Sequence, residues 1–147
     1  MTTAQVLLLI GGILLVQALI WSIIFRWIRV RTKAIILAME ERLRREDRRV
    51  VIRPQPSLYR GSYAQFGNIK GNGVICLTED SLIFEKLTGQ EITINRADIV
   101  DATVENSFRG KPSFASGGRH LVVHTGVGNR IAFLMKNAEF WAATLKS

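Results

Sequence analysis

Few residues in this sequence could carry out chemistry, and two histidines are the most suggestive of them. His120 and His124 are four residues apart in the run HLVVHT, whose composition predicts a β-strand. On a strand both side chains face the same side, but their Cα atoms are about 13 Å apart at about 3.3 Å per residue. Two ligands that far apart share a zinc ion only if a third element reaches between them, and the sequence has no Cys/His/Asp cluster to provide one. We therefore predict no metal site and two histidines on the solvent-facing side of a strand.

The glycine-rich segment Gly67–Gly73 has a superficial likeness to a phosphate-binding loop. It lacks the Gly-Lys-Ser/Thr ending of such loops, and a predicted strand follows it instead of a helix. We interpret this segment as the connection of a β-hairpin. Because the sequence also has no nucleophile elbow, HExxH motif or paired acidic motif, we predict that the protein is not an enzyme and binds no cofactor.

The longest irregular segment, Arg109–His120, reads RGKPSFASGGRH. Long loops in compact domains are usually either functional or disordered. Two interpretations stay open for this loop: a basic, aromatic-tipped surface for lipid headgroups or a partner, or a mobile Gly/Ser loop with incidental charge. The side chains that support the first interpretation are Arg109, Lys111, Phe114 and Arg119.

The N-terminal segment has no charged side chain in its first 25 residues. From Val6 to Phe25 it has twenty residues, interrupted only by Gln17 and Ser22. A helix of that length covers the roughly 30 Å hydrocarbon core of a bilayer and pairs its own backbone groups. A cleaved signal peptide is the alternative, but the start MTTAQ has no basic residue and the apolar run is long. We predict a transmembrane helix over residues 4–28.

A cluster of basic residues follows the apolar segment: Arg26, Arg29, Arg31 and Lys33. This asymmetry predicts a cell-membrane protein with its N-terminus outside and its C-terminal domain in the cytoplasm. Of the net charge of +8, residues 26–53 carry +6 (ten basic, four acidic) and residues 54–147 carry +2 (ten basic, eight acidic). Because the excess lies beside the membrane, we expect anionic lipid headgroups as partners and no nucleic acid.

Residues 29–53 are predicted to be a basic juxtamembrane helical stalk. Oppositely charged residues recur at i,i+4 spacing, as in Glu40–Arg44, which supports a helix. Pro54 and Pro56 are expected to end it, because proline lacks the amide N–H and disfavours helix in its predecessor. A narrow apolar stripe is formed by Ile36, Met39, Leu43 and Val50. Two heptads are few for a coiled coil, so we favour a solvated stalk whose stripe lies against the domain or lipid.

Residues 54–147 are predicted to form one mainly β domain within an α+β chain. After Leu58, seven short runs rich in β-branched and aromatic residues are separated by turn signals. Apolar residues alternate with polar ones in these runs and are predicted to face inward, among them Leu82, Phe84, Val100 and Leu121. This pattern predicts an antiparallel sheet with one solvent-exposed face. The final segment returns to helical spacing, with Asn137 as N-cap and Trp141 and Leu145 directed at the sheet.

The order of seven strands and one final helix resembles the pleckstrin-homology-like (PH-like) superfold, and in particular its GRAM-like and bacterial variants. The likeness covers residues 57–146 and is carried by Gly73–Thr78, Leu82–Phe84, ITINRADIV ending at Val100, the LVV strand and Trp141. The resemblance implies a barrel or sandwich of two sheets with Trp141 closing one end. In lipid-binding members a basic pocket surrounds the first hairpin loop, which implies roles for Arg60, Lys70 and Lys86. This set is sparse for a polyphosphorylated headgroup.

We therefore expect a single-pass, non-enzymatic binding module that presents a PH-like domain at the cytoplasmic membrane face for lipid headgroups or a protein. The alternative is an accessory or scaffold subunit of a membrane complex, docked through its transmembrane helix. Candidate helix-packing residues for the alternative are Gly11, Gly12, Gln17, Ala18 and Ser22.

Overall fold

The N-terminal helix is the longest element of the protein. The computed structural model describes residues 1–63, 66–67, 70–112, 117–126 and 128–147. In it, helix α1 runs without a break over Thr3–Arg45. By length and composition α1 is the one helix in these described ranges that could cross a membrane, and its most apolar stretch is fully exposed. The apolar segment and the basic segment after it therefore form one continuous rod.

The end of α1 differs from the prediction, which extended the stalk helix to residue 53. Asp47 adopts a left-handed backbone conformation, with φ of 52°. The N–H of Arg48 donates to the carbonyl of Leu43, and the N–H of Asp47 donates to that of Arg44. This pair of bonds is the Schellman arrangement that closes a helix. Pro54 and Pro56 lie within the first strand instead, whose register shifts between Ile52 and Gln55.

In the described part of the chain, nine strands and a second α-helix follow α1. Their bounds are β1 Val50–Ser62, β2 Gly71–Thr78, β3 Ser81–Lys86, β4 Glu91–Asn95, β5 Ile99–Glu105, β6 Ser107–Phe108, β7 Lys111–Pro112, β8 Arg119–Thr125, β9 Arg130–Met135 and α2 Ala138–Lys146. Seven of the strands form one antiparallel sheet in the order β4-β3-β2-β1-β9-β8-β5, and β6 and β7 form a separate small hairpin. The predicted α+β class, seven-stranded antiparallel sheet and C-terminal helix are therefore confirmed.

Strand β1 joins two halves of the sheet. Residues Val50–Tyr59 pair with β2, whereas Leu58–Ser62 pair with β9. The inner faces of both halves share one apolar core, which includes Tyr59, Phe84 and Phe133 in mutual ring contact. Trp141 of α2 is fully buried in the same core, as predicted. Val100, predicted to face inward, is 68% exposed, because the register of β5 against β8 shifts between Ile99 and Asp101.

The outer face of β2 and β3 is covered by α1, which contradicts the predicted solvent-exposed face for this half of the sheet. Ile35, Met39 and Leu43 of α1 are buried. They form a second apolar cluster with Val74, Cys76, Ile83 and Leu87 of the sheet. The apolar stripe of the stalk therefore lies against the domain, which is one of the two positions predicted for it. The stalk is a structural element of the domain. Ile35 is buried in its stripe, whereas the predicted Ile36 is only partly buried.

Candidate membrane-facing site

Helix α1 fixes which end of the domain lies next to the apolar segment. Ile28 and Thr32 lie beside Pro56–Leu58 of β1, whereas Leu43 lies beside Val50 and Pro54. The helix thus runs antiparallel to β1. The Nε of Arg31 donates to the carbonyl oxygen of Leu87 at 3.1 Å. The β3–β4 turn and the start of β2 are therefore held beside the first basic turn of the helix.

The predicted juxtamembrane basic residues lie where α1 leaves the apolar segment. Arg26, Arg29 and Lys33 are exposed. Arg31 is also exposed overall, but its Nε is hydrogen-bonded to the domain. Further along the helix, Arg42 forms an ion pair of 2.8 Å with Glu91 of β4. Exposed pairs of this kind add little stability, so apolar packing is what holds α1 on the sheet.

Lys86 and Lys70 flank the β1–β2 connection, but in different environments. Lys86 is only 4% exposed. Its Nζ lies 4.8 Å from the centroid of the Tyr59 ring and donates to Oε1 of Gln90 at 3.0 Å. Burial lowers the pKa of Lys86. Lys70 is exposed. The ammonium of Lys86 is thus engaged within the domain, which differs from the exposed headgroup ligand that the resemblance implied.

The Tyr59 hydroxyl anchors the same end of the core. It donates to the carbonyl of Gly67 at 2.7 Å, and burial raises the pKa of Tyr59 to about 12. The tyrosine therefore stays protonated and keeps donating across the physiological range.

Arg60 and Arg109 lie on the outer face of the second half of the sheet. The Nε of Arg60 donates to Nε2 of His120 at 3.2 Å, and the Arg109 guanidinium lies 4.9 Å from the centroid of the Tyr63 ring. Phe108 connects the two groups by ring contacts with Tyr63 at 5.5 Å and His120 at 6.4 Å. His120 is fully buried here, so its predicted exposure was wrong. His124 shares this outer side and is half-buried beside Thr103.

The other residues predicted in the long loop do not join this group as a single patch. Arg119 forms an ion pair of 2.9 Å with Glu139 of α2. The backbone of Lys111 lies in β7, paired with Phe108. Phe114 lies outside the described residues. The basic residues predicted to form the site are therefore divided among the first hairpin, the outer face of the sheet and the start of α2.

The candidate packing residues of the apolar segment are all exposed on α1. A Cβ added at Gly11 or Gly12 would meet no atom within 4 Å. The Ser22 hydroxyl donates to the carbonyl of Ala18 at 2.8 Å, so it is satisfied within its own helix. Gln17 borders a shallow apolar groove together with Gly12 and Val16.

Sequence reasoning missed a cavity of about 590 Å³ between α1, residues 55–58 of β1 and the end of β9. Its apolar lining comes from Ile28, Pro56, Leu58, Leu134 and Met135. Lys136 lies at its edge, and the side-chain amides of Gln55 and Asn137 pair reciprocally beside it, at 2.8 and 3.1 Å. Five separate segments of the chain line this cavity, so no local motif could reveal it.

Within the described ranges, no group of three or more His, Cys, Asp or Glu side chains could hold a metal ion. No protein-family model matches the chain, and no match is found among curated proteins. Among solved structures, the chain is similar to the C-terminal domain of an unknown protein from Leishmania infantum, with 12% sequence identity and a TM-score of 0.51. The match covers 74% of this chain and 93% of that domain. At this identity the likeness concerns the fold alone.

Proposed function

We propose that this protein is a single-pass membrane protein whose PH-like domain is held against the cytoplasmic leaflet and binds anionic headgroups there without catalysis. The observation that carries the proposal is the continuity of α1. The same helix that is apolar and exposed before Phe25 is packed on the sheet from Ile35 to Leu43. If the apolar segment spans a bilayer, the domain has one orientation relative to the surface.

The PH-like assignment is supported by the strand order and the final helix. A single long strand, β1, is shared between two halves of an antiparallel sheet, and Trp141 of α2 is buried between their inner faces. The buried Trp141 agrees with the resemblance, which implied that this residue closes one end of the domain. The β6–β7 hairpin and the docked α1 are additions to that plan.

The charge distribution supports the surface role. Arg26, Arg29 and Lys33 are exposed at the membrane end of the docked helix. Each basic residue near an anionic leaflet contributes about 1 kcal/mol, so three contribute about 3 kcal/mol, or roughly a hundredfold in affinity. The buried Lys86 and the dispersed bases of the domain support a weak, general attraction to anionic lipid rather than a tight headgroup pocket.

Orientation is tested with a reporter fused after Ser147 that is active only in the cytoplasm. We expect activity in the full-length protein. A signal from the opposite side of the membrane would overturn both the topology and the surface role.

Headgroup binding is tested with the fragment 26–147, which retains every residue of the three buried clusters. We compare its binding to phosphatidylglycerol vesicles with that of the triple variant Arg26→Gln, Arg29→Gln, Lys33→Gln. The matched control neutralises Arg44, Arg45 and Arg49, which are also exposed. Arg44 lies about 27 Å along the helix from Arg26, well beyond a Debye length of about 8 Å at physiological salt.

The first variant should bind roughly a hundredfold more weakly, and the control, with the same net charge, should bind much as the unmodified fragment does. Equal losses would show that only total charge matters. No loss in either variant would favour the accessory-subunit alternative, and the exposed face around Gly12 and Gln17 would then be the first surface to mutate.

A further inference from the structure

The cavity between α1, β1 and β9 has the chemistry of a site for an amphiphile. Its volume of about 590 Å³ falls within the range of small-molecule sites, and its walls are mainly apolar. The Thr32 hydroxyl donates to the carbonyl of Ile28, so the polar group on the helical wall is already satisfied. Leu58 and Leu134 are only half-buried although they lie beside buried residues. An apolar chain in the cavity would cover them.

The position of the cavity indicates which kind of apolar ligand could reach it. This inference rests on the proposed membrane-spanning role of α1. Ile28 and Thr32 lie about 5 and 10 Å beyond Phe25 along the helix. The headgroup region of a bilayer is about 5–7 Å deep on each side. Ile28 would thus lie at the level of the lipid headgroups and Thr32 just beyond it, so the Ile28 end of the cavity would be within reach of lipids of the adjacent leaflet.

The charges around the cavity indicate which lipid headgroup would bind there. Among the described residues that line it, the charged side chain is Lys136, which is exposed. Arg29 is three residues before Thr32, so their side chains are neighbours on the helix surface. No carboxylate belongs to the described lining. This positive charge is complementary to a lipid phosphate that carries a net negative charge.

We propose that the cavity binds one anionic phospholipid, with an acyl chain against Leu58 and Leu134 and the phosphate toward Lys136 and Arg29. The lipid would fill the space between the docked helix and residues 55–58 of β1. In this arrangement a specific lipid completes the packing between the membrane-spanning helix and the domain.

The test uses the full-length protein in nanodiscs that contain phosphatidylglycerol with a photoactivatable diazirine on its acyl chain. A parallel preparation carries the same chain on phosphatidylcholine. We expect phosphatidylglycerol to label peptides containing Leu58 and Leu134 several-fold more than phosphatidylcholine does, while both lipids label residues 6–25. Leu134→Trp fills the cavity and should lower its labelling about tenfold. Leu58→Trp is a second filling variant, and Val100→Trp, at an exposed site outside the cavity, is the control.

Lys136→Gln should reduce the preference for phosphatidylglycerol, whereas Lys146→Gln, at an exposed position of α2, should not. Thermal unfolding identifies any variant that has lost its fold. Equal labelling by both lipids, labelling of folded filling variants at the unmodified level, or photo-crosslinks between two chains at these residues would overturn the proposal. Labelling confined to residues 6–25 would overturn the lipid site while leaving the membrane-spanning role intact. An unlabelled apolar segment would instead overturn the proposed function.

Discussion

The docking of α1 on the outer face of the sheet can be measured through Cys76. This residue is the single cysteine of the chain, and it is fully buried in the cluster that α1 covers. Its thiol donates to the carbonyl of Ile52 at 3.3 Å. Burial raises the pKa of Cys76 to about 11. Since the thiolate is the reactive form, Cys76 should react with a thiol reagent only when the helix lifts from the sheet.

Met39→Ala is the perturbation that best tests this docking. Met39 is 1% exposed, and truncating a buried Met costs about 2–5 kcal/mol. The cluster lies on one side of the sheet and can partly collapse, so we expect the lower part of this range, about 2–4 kcal/mol. Each 1.4 kcal/mol is tenfold in an equilibrium constant, so the open population should rise roughly 30-fold to several hundredfold.

The assay is the rate of thiol labelling of fragment 26–147 under native conditions, with urea unfolding as the independent measure of stability. Leu37→Ala is the matched control, because Leu37 is 66% exposed on the opposite side of the helix. It should change stability by less than about 0.5 kcal/mol and leave the labelling rate unchanged. An unchanged labelling rate of Cys76 in Met39→Ala would refute the docking of α1 on the sheet.

Two further perturbations probe the core and the buried histidine. Trp141→Ala should cost about 3–5 kcal/mol, a large share of the roughly 5–15 kcal/mol of a small domain, whereas Phe140→Ala, at an exposed position, should cost little; equal melting temperatures for both would show that α2 is not part of the core. Burial, and then the Arg60 guanidinium, lower the pKa of His120, so the unfolded chain binds more protons and stability should rise with pH up to about 6.5 and level off above it. Urea midpoints measured between about pH 5 and 8 should show this slope in the unmodified fragment and a weaker one in His120→Gln, and identical slopes would refute the assignment.

The alternation of apolar and polar residues in the sequence was sufficient to predict much of the fold. Inward positions such as Leu82, Phe84 and Leu121 are buried as predicted. Successive side chains of a strand point to opposite faces, so the alternation of apolar residues along the sequence shows which side chains face the core. The burial of Trp141 followed from the helical spacing of the last segment. The register shifts before Gln55 and Asp101 were not predictable, because a bulge depends on the partner strand.

The site was less predictable than the fold. The cluster of Arg26, Arg29, Arg31 and Lys33 is visible in the sequence because it is contiguous. The burial of Lys86 and His120 is not visible in the sequence, because each side chain is enclosed by residues far away along the chain, such as Tyr59 and Arg60.

The sequence alone determined the apolar segment, the charge that follows it and the strand-rich domain, because composition and periodicity are properties of neighbouring residues. Only the tertiary structure decided that α1 ends at Arg45, lies on β2 and β3, and leaves a cavity beside β1. Hydrophobic burial is non-directional, so the stripe at Ile35, Met39 and Leu43 specifies that something must cover it but not what. Its partner is selected by the shape and apolar surface of strands that follow tens of residues later.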